Sequence, residues 1–278
     1  MTSTILSEPV AAPRGSTEFL RVEGLSKSFG TQGKTVEAIR SLDFEIREDE
    51  FVSIVGPSGC GKTTLLKCMS GLLEPTTGTV TFRGQRVVEP PAELAIVFQD
   101  YSRSLFPWKT VRENVILPLK KRRSMTGKDA VVEDALGAVN LTKFADHYPW
   151  QLSGGMQQRV AIARALAYQP KLLLMDEPFA SVDAQTRGDL EDLVLRVRRE
   201  FGVTVVLVTH DIDESVYMGD RVIILSRPPT TVQQELTVDL PGERDQIATK
   251  ELPEFAHLRS RVYRAIKEGR PAEDDLAV

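Results

Sequence analysis

The fold is decided by residues 51–64, which read Phe-Val-Ser-Ile-Val-Gly-Pro-Ser-Gly-Cys-Gly-Lys-Thr-Thr. The first five residues form a short apolar run typical of a buried strand, and the pattern after Lys62 predicts a helix that closes at Gly71. The spacing G-x-x-x-x-G-K-[ST] lies between the two, in the strand-to-helix context that this motif requires. Glycines there let backbone N–H groups converge on an anion, and the helix N-terminus adds partial positive charge. The stretch therefore predicts a phosphate-binding loop in an α/β fold.

The motif also predicts roles for individual side chains. Lys62 should reach the β- and γ-phosphates of a nucleotide, and the Thr63 hydroxyl should ligate Mg²⁺. A chance glycine turn is the alternative, and the flanking strand and helix make it the weaker one. The residues expected to bind the nucleotide in this loop are Gly56, Pro57, Ser58, Gly59, Cys60, Gly61, Lys62, Thr63 and Thr64.

Two carboxylates follow a second apolar strand at residues 172–175. Open α/β sheets bind ligands at the carboxyl ends of their parallel strands, so Asp176 and Glu177 should lie beside the phosphate loop. Asp176 would hold Mg²⁺, directly or through water. Glu177 would act as the general base that polarises the attacking water. A solvated pair of acids at a strand end is the alternative.

Three more residues are candidates for the same site because of their places along the chain. His210 ends the predicted strand at residues 204–209 and is expected to contact the γ-phosphate. Gln99 likewise ends a strand, and its amide is a candidate ligand for the metal or the water in catalysis. Phe29 lies on a predicted turn at residues 28–33, where stacking on an adenine ring and packing into the core are equally open.

Composition limits the class of protein. The chain has 278 residues, 41% hydrophobic and 27% charged, with a net charge of −4, which argues against nucleic acid as a partner. The basic run at residues 120–123 reads better as a solvated helix end than as a binding patch. Cys60 lies in the phosphate loop, where a disulfide would obstruct a ligand, so we expect a reducing compartment. We find neither a signal peptide nor an apolar run of roughly 20 residues, and therefore expect membrane association only through a partner.

A second glycine-rich motif precedes the acidic strand, and it reads Leu152-Ser153-Gly154-Gly155-Met156-Gln157-Gln158-Arg159. In chain order, the phosphate loop, Gln99, this motif, the acid pair, Asp183 and His210 resemble a known series of motifs. They are the Walker A, Q-loop, signature, Walker B, D-loop and switch-histidine motifs of the ATP-binding cassette of ABC transporters. The resemblance covers about residues 19–225, and the signature is its most specific part.

The resemblance implies a fold and a division of the chain. The fold is a P-loop NTPase (RecA-like) α/β core with an N-terminal antiparallel β subdomain and an inserted α-helical subdomain. The expected divisions are a flexible tail at residues 1–16, an ABC ATPase domain at residues 17–230, and a C-terminal strand and helix extension at residues 231–278. The helical subdomain is expected at about residues 105–164.

The resemblance also implies a head-to-tail homodimer that binds ATP and Mg²⁺. Ser153, Gly154 and Gly155 of one copy would cap the γ-phosphate held by the phosphate loop of the other. Gln157 and Asp183 would complete this composite site, with Asp183 at the dimer interface. The chain departs from the family pattern at Phe29, where tyrosine is usual. It also departs at Ser181-Val182-Asp183, where Ser-Ala-Leu-Asp is common.

Other segments resemble the nitrate/sulfonate/taurine class of bacterial importers, among them Leu105-Phe106-Pro107-Trp108 and Leu225-Ser226-Arg227-Pro228-Pro229. That class implies transmembrane permease subunits, a periplasmic or lipid-anchored solute-binding protein, and a peripheral place on the cytoplasmic face of the inner membrane. The side chains of Phe106 and Trp108 would either receive a helix of the permease or pack the helical insertion onto the core.

The leading hypothesis is therefore an ATP-hydrolysing subunit that couples hydrolysis to uptake of a small solute such as nitrate, sulfonate or taurine. The alternative is a soluble ABC-type ATPase acting on DNA or ribosomes. Such proteins usually carry two fused cassettes, long coiled coils or a basic surface, and this sequence shows none of these. A nucleotide-binding module without hydrolysis is a third reading, and the intact pair Asp176 and Glu177 opposes it.

Overall fold

A computed structural model describes residues 18–31, 34–100, 104–121 and 126–268. The expected tail at residues 1–16, part of the basic run at residues 120–123 and the acidic run at residues 273–275 lie outside these ranges. The strands are β1 (Glu18–Thr31), β2 (Lys34–Arg47), β3 (Phe51–Val55), β4 (Thr77–Phe82), β5 (Gln85–Arg86), β6 (Leu94–Val97), β7 (Leu172–Asp176), β8 (Thr204–Thr209), β9 (Arg221–Leu225) and β10 (Val232–Thr237). The α-helices are α1 (Lys62–Met69), α2 (Val111–Ile116), α3 (Lys128–Ala138), α4 (Gly154–Ala167), α5 (Ala184–Phe201), α6 (Ile212–Met218) and α7 (Pro253–Glu268).

The N-terminal strands form an antiparallel sheet in the order β2-β1-β4-β5. The turn predicted at residues 28–33 is wrong for its first part, because β1 and β2 remain paired from Phe29–Val36 through Thr31–Lys34. Shifts in register between residues 22 and 28 break the strict alternation of inward and outward side chains. The sequence pattern loses its period there, although the backbone pairing continues.

The second sheet has the order β10-β9-β3-β8-β7-β6 and is parallel except for β10. Its strand β3 is buried on both faces, with Phe51 and Val55 in one hydrophobic core and Val52 and Ile54 in another. This two-sided burial explains why the run is apolar at every position except buried Ser53. Because β3, β6, β7 and β8 run in the same direction, the residues that follow them meet at one edge of the sheet.

The helical insertion is present, and it contains α2, α3 and α4. The helix predicted at residues 111–121 is α-helical only to Ile116 and continues as a 3₁₀ segment over Leu117–Lys121. Pro118 explains the change, because it has no N–H to donate to the preceding turn. At the other end, Thr110 and Glu113 form a reciprocal capping box that starts α2.

Two helices of the core were missing from the sequence prediction, α5 and α6. Asp183 caps the start of α5, and Gly202 ends it with a φ of +58°. Asp211 caps α6. Both helices follow strands that point at the site, so they set the positions of the loops before them. None of the helices that the structure describes has both the length and the apolar character needed to cross a bilayer.

Candidate active site

The phosphate loop leaves β3 at Gly56 and turns sharply into α1. Gly61 has a φ of +96°, in the left-handed region where any other residue would be strained. The N–H of Cys60 donates to the carbonyl of Pro57 (3.2 Å) and closes the turn. The Cys60 side chain is buried, and burial raises the pKa of its thiol. Cys60 therefore contributes to the loop through its backbone, with a neutral side chain packed beneath it.

The Lys62 side chain lies inside this loop and is only 5% exposed. Its Nζ donates to the carbonyl oxygens of Gly56 (2.9 Å) and Pro57 (3.1 Å). The carboxylate of Glu177 approaches the same nitrogen at 3.8 Å. An ammonium held in this way is a fixed positive charge at the centre of the loop, suited to charge-assisted hydrogen bonds with phosphate oxygens.

The two residues predicted to ligate a metal, Thr63 and Asp176, are in direct contact. The Thr63 hydroxyl donates to Oδ1 of Asp176 at 3.1 Å. Asp176 ends β7 and is 4% exposed, and this burial raises the pKa of its carboxyl group against the opposing effect of the Thr63 hydrogen bond. A hydroxyl and a carboxylate are hard oxygen donors of the kind that Mg²⁺ prefers.

The predicted catalytic residues meet at the carboxylate of Glu177. His210 Nδ1 lies 3.0 Å from Glu177 Oε2, and the Gln99 amide donates to the same oxygen at 3.4 Å. The Glu177 backbone has a φ of +44°, and its N–H donates to the carbonyl of Val208 at 2.8 Å. This unusual backbone conformation, held against β8, turns the side chain toward the histidine.

The His210 side chain is half exposed, but the residues beside it are tightly held. Thr209 donates its hydroxyl hydrogen to buried Glu214 at 2.6 Å. Asp211 caps α6 by accepting the N–H of Glu214 at 3.2 Å, and it also accepts from Arg187 Nη1 at 3.1 Å. The histidine therefore projects from a segment that is fixed on both sides.

Burial raises the pKa of Glu214 to about 7. The hydrogen bond from Thr209 and the charge of Arg187 lower it, whereas Asp211 and Glu191 raise it. Sequence reasoning missed Thr209, Arg187 and Glu214 as supports of the site. The Asp211-x-x-Glu214 spacing was the available signal, because it is typical of a helix start.

The signature motif lies at the N-terminus of α4. The Ser153 hydroxyl caps the helix by accepting the N–H of Met156 at 3.3 Å. A Cβ added to Gly155 would lie 2.3 Å from Cγ2 of Thr186, so this glycine permits the close approach of α4 and α5. Across the described ranges, Ser153, Gly154 and Gly155 make no hydrogen bond to residues 56–64. Within one chain, the signature motif and the phosphate loop are therefore not connected by hydrogen bonds in the described ranges.

Two other residues of the predicted composite site have local structural roles. Asp183 caps α5 by accepting the N–H of Thr186 at 3.0 Å, and hydrogen bonds from Thr186 lower the pKa of its carboxyl group. The Gln157 amide nitrogen donates to the carbonyls of Pro149 (3.0 Å) and Leu152 (3.3 Å). The Gln157 side chain therefore braces the preceding turn, and its contact with a nucleotide stays a prediction.

Phe29 lies in β1 and not on the turn that the sequence predicted. Its ring is 39% exposed, which argues against the core-packing alternative. Lys27 Nζ lies 5.4 Å from the ring centroid, a cation–π contact. Stacking of an adenine on this ring stays a prediction.

A model of the family described as "ABC transporter" matches residues 39–180, slightly more than half of the chain. The chain belongs to the ABC transporter family. The order of its motifs therefore marks it as a cassette, as the resemblance implied.

Similar curated proteins include the nitrate import ATP-binding protein NrtC of Synechococcus elongatus. It is 41% identical over 260 residues, which are 92% of this chain and 39% of that protein. The bicarbonate transport ATP-binding protein CmpC of Synechocystis is 43% identical, over 88% of this chain and 37% of that protein. The nitrate import ATP-binding protein NrtD of Synechocystis is 40% identical, over 93% of this chain and 98% of that protein. This cassette thus spans about two fifths of the first two relatives and nearly all of the third.

Solved structures of cassettes confirm the predicted fold. A dimeric post-hydrolysis state of the ATP-binding cassette MJ0796, bound to ADP and Pi, has a TM-score of 0.70 and 35% identity. That likeness covers 79% of this chain and 99% of that one. The cbiO1 protein of Clostridium perfringens, part of the ABC transporter complex cbiONQ, has a TM-score of 0.70 and 27% identity. That likeness covers 80% of this chain and 89% of that one.

Proposed function

We propose that this cassette binds and hydrolyses ATP and couples hydrolysis to the import of a small solute such as nitrate, sulfonate or taurine. The observation that carries the proposal is the meeting of Lys62, Gln99 and His210 at the carboxylate of Glu177. The relatives named for nitrate and bicarbonate import favour a small anion as the transported solute.

The phosphate loop and Lys62 would bind the β- and γ-phosphates of ATP, which supplies the phosphoryl group that water attacks. Glu177 would accept the proton of that water as the new P–O bond forms and the bond to ADP breaks. Lys62, Gln99 and His210 surround its carboxylate, so the base is oriented before the substrate binds. With Nδ1 of His210 beside Glu177, Nε2 is the ring nitrogen left to contact the γ-phosphate.

The donor set fits Mg²⁺. Thr63 and Asp176 offer a hydroxyl and a buried carboxylate in contact at 3.1 Å, and Gln99 offers an amide oxygen nearby, as its bond to Glu177 shows. When bound, Mg²⁺ would neutralise charge on the phosphate oxygens. The raised pKa of Asp176 indicates a buried carboxylate that a cation would stabilise in its charged form.

We infer that the working unit contains two copies, head to tail. Ser153 begins a helix whose N-terminus favours anions, and its glycines leave the backbone open to a phosphate. No hydrogen bond in the described part of this chain joins that edge to the phosphate loop, so a second copy would supply the loop that faces it. Dimeric cassettes of similar structure support this arrangement.

The partners that we propose are permease subunits in the membrane and a solute-binding protein outside it, with the cassette on the cytoplasmic face. Trp108 is 69% exposed and lies edge-on to Phe106, with 5.3 Å between the ring centroids. The exposure of Trp108 favours docking of a permease segment over packing within the chain.

Two experiments test the proposal. Purification of the tagged cassette from cross-linked native membranes should recover a protein with several membrane spans. Recovery of ribosomes or nucleic acid instead of such a protein would refute the proposal that the cassette belongs to an importer. Uptake of labelled nitrate, bicarbonate and taurine should then be compared between wild type and Glu177→Gln, with exposed Asp189→Asn as the control. Uptake of at least one of these solutes should be lost only in Glu177→Gln, and equal uptake of all of them would contradict the proposal.

A further inference from the structure

A separate cavity of about 250 Å³ lies at the carboxyl-terminal half of α5. Its lining includes Asp192, Arg196, Arg198 and Arg199 from that helix, and Arg244 from the segment that follows β10. Asp192, Arg196 and Arg199 are spaced by four and three residues, so they share one face of the helix. We call this cavity the arginine pocket.

The carboxylate in the arginine pocket is already engaged. Asp192 Oδ1 accepts the hydroxyl hydrogen of Tyr217 at 2.6 Å and an amide hydrogen of Gln246 at 3.0 Å. The only close ion pair among the pocket arginines, within the described residues, joins Arg198 to Asp220 at 2.5 Å. Four arginines line the pocket against one carboxylate, that of Asp192, and the charge of nearby Asp220 offsets only part of the excess positive charge.

The other arginines have donors to spare. Arg196 donates one hydrogen bond, to the carbonyl of Ala138 at 2.9 Å. The Arg199 side chain makes no hydrogen bond or ion pair to any residue that the structure describes. Guanidinium groups present several N–H donors in a planar fork, which matches the oxygens of an oxyanion.

Arg244 provides an independent sign of a missing acceptor. Its Nε donates to the carbonyl of Tyr217 at 3.0 Å, but its buried Nη1 has no hydrogen-bond partner among the described residues. Burial lowers the pKa of Arg244, and the negative charge of Asp220 opposes this effect in part. A buried N–H group without an acceptor is rare in folded proteins and is commonly satisfied by a bound water or ion.

We propose that the arginine pocket binds one small divalent oxyanion, such as inorganic sulfate or phosphate. The cavity is smaller than the roughly 300–1,000 Å³ of ordinary small-molecule pockets, so its size suits an inorganic ion better than a nucleotide. The anion would accept hydrogen bonds from Arg199 on one side and Arg244 on the other.

Such an ion would join separate parts of the chain. Arg196 contacts the end of α3 in the helical insertion through Ala138, and Arg244 belongs to the segment that leads to α7. An oxyanion bound between Arg199 and Arg244 would hold the segment at residues 240–250 against α5. Its binding does not depend on the ATP site, because none of the residues that line the pocket belongs to that site.

The test is a calorimetric titration of the full chain with sulfate, at constant ionic strength and with saturating Mg²⁺ and ADP so that the phosphate loop is occupied. We expect one sulfate per chain, and slower amide exchange over residues 240–250 when it binds. Arg199→Gln and Arg244→Gln should each weaken the affinity at least about tenfold, since each removes a charge-assisted donor. Arg47→Gln, an exposed arginine on the N-terminal sheet, is the matched control and should bind like wild type.

Arg199 is exposed and its side chain makes no hydrogen bond or ion pair within the described residues, so its variant should fold even if Arg244→Gln does not. Equal sulfate affinity in wild type and Arg199→Gln would overturn the proposal, as would a signal that disappears when ADP is bound. We expect Glu177→Gln to lose ATPase activity without any change in sulfate affinity, which would show that the arginine pocket and the ATP site are independent.

Discussion

Arg187 Nη1 lies 3.1 Å from Oδ2 of Asp211, and this ion pair joins the two segments that carry the predicted site residues Asp183 and His210. Arg187 lies one turn into α5, and its N–H donates to the carbonyl of Asp183, the cap of that helix. Asp211 follows His210 directly. The pair therefore links the position of the predicted dimer-interface residue to the position of the histidine that faces Glu177.

Replacement of Arg187 by alanine should lower kcat for ATP hydrolysis roughly tenfold with little change in nucleotide affinity. Asp211 would lose its ion pair and buried Glu214 its nearest cation, so His210 would be less well positioned. Steady-state kinetics on wild type, Arg187→Ala and Arg187→Lys gives kcat and KM separately for each protein. Lysine should rescue only part of the rate, because it lacks the planar fork. A change confined to KM would contradict this positioning role.

Glu177→Gln should nearly abolish hydrolysis, by about 10²–10⁴-fold, and leave ATP binding intact. The amide keeps the shape of the side chain but cannot accept the proton of the attacking water. Phosphate release and equilibrium ATP binding are the two measurements, and size-exclusion chromatography should show an ATP-dependent dimer of the variant. Normal turnover by Glu177→Gln would mean that another group is the base.

Mixing two inactive variants should test whether the ATP site is shared between copies. Lys62→Ala removes the cation of the phosphate loop, and Ser153→Arg blocks the capping edge of α4. A mixed dimer would contain one intact site and one site that carries both changes. Activity should therefore reappear on mixing and should not exceed one working site per dimer. If each chain completed its own site, the mixture would stay inactive.

Gly155→Ala should destabilise the contact between α4 and α5 by about 1–3 kcal/mol, because the new methyl group would overlap Cγ2 of Thr186 at 2.3 Å. Thr186→Ser removes that methyl group, and the next atoms lie at 3.7 Å and 3.9 Å. The double variant should therefore recover most of the stability in urea unfolding. If it regained stability but not hydrolysis, Gly155 would have a further role toward the phosphate.

The raised pKa of Glu214 predicts that the stability of the folded chain depends on pH. Its pKa is about 7 in the folded chain, against an ordinary value of 4.5, so the folded state binds this proton more tightly than the unfolded state. Its contribution to stability is therefore fully present below pH 4.5 and is lost as the pH rises to about 7. Glu214→Gln should flatten that slope and stabilise the chain at pH 8 by about 1–3 kcal/mol.

Urea unfolding at pH 5.5 and pH 8 measures this effect. Gln can still accept the hydrogen bond from Thr209, so the substitution changes the charge and keeps the contact. Exposed Glu243→Gln is the matched control and should leave the slope unchanged. An identical pH slope in Glu214→Gln and wild type would show that Glu214 stays ionised in the folded state.

Some elements could be predicted because their signals are local. The strands β3 and β7 are buried along their whole length, so their sequences are apolar apart from Ser53 and the terminal Asp176. The α5 helix carries a local start signal in Asp183 and a local stop signal in Gly202, although the sequence prediction did not include this helix. The long pairing of β1 and β2 could not be read from alternation, since register shifts break the pattern.

The sequence by itself determined the chemistry at the edge of the sheet. The phosphate loop, the acids after β7 and the histidine after β8 are set by spacing along the chain and by the common direction of parallel strands. Only the tertiary structure decided how these groups meet. The left-handed backbone of Glu177 turns it toward His210, and Arg187 and Glu214 fix the segment around that histidine. Such contacts join residues far apart in sequence, so they depend on the packing of α5 and α6 against the sheet rather than on any local pattern.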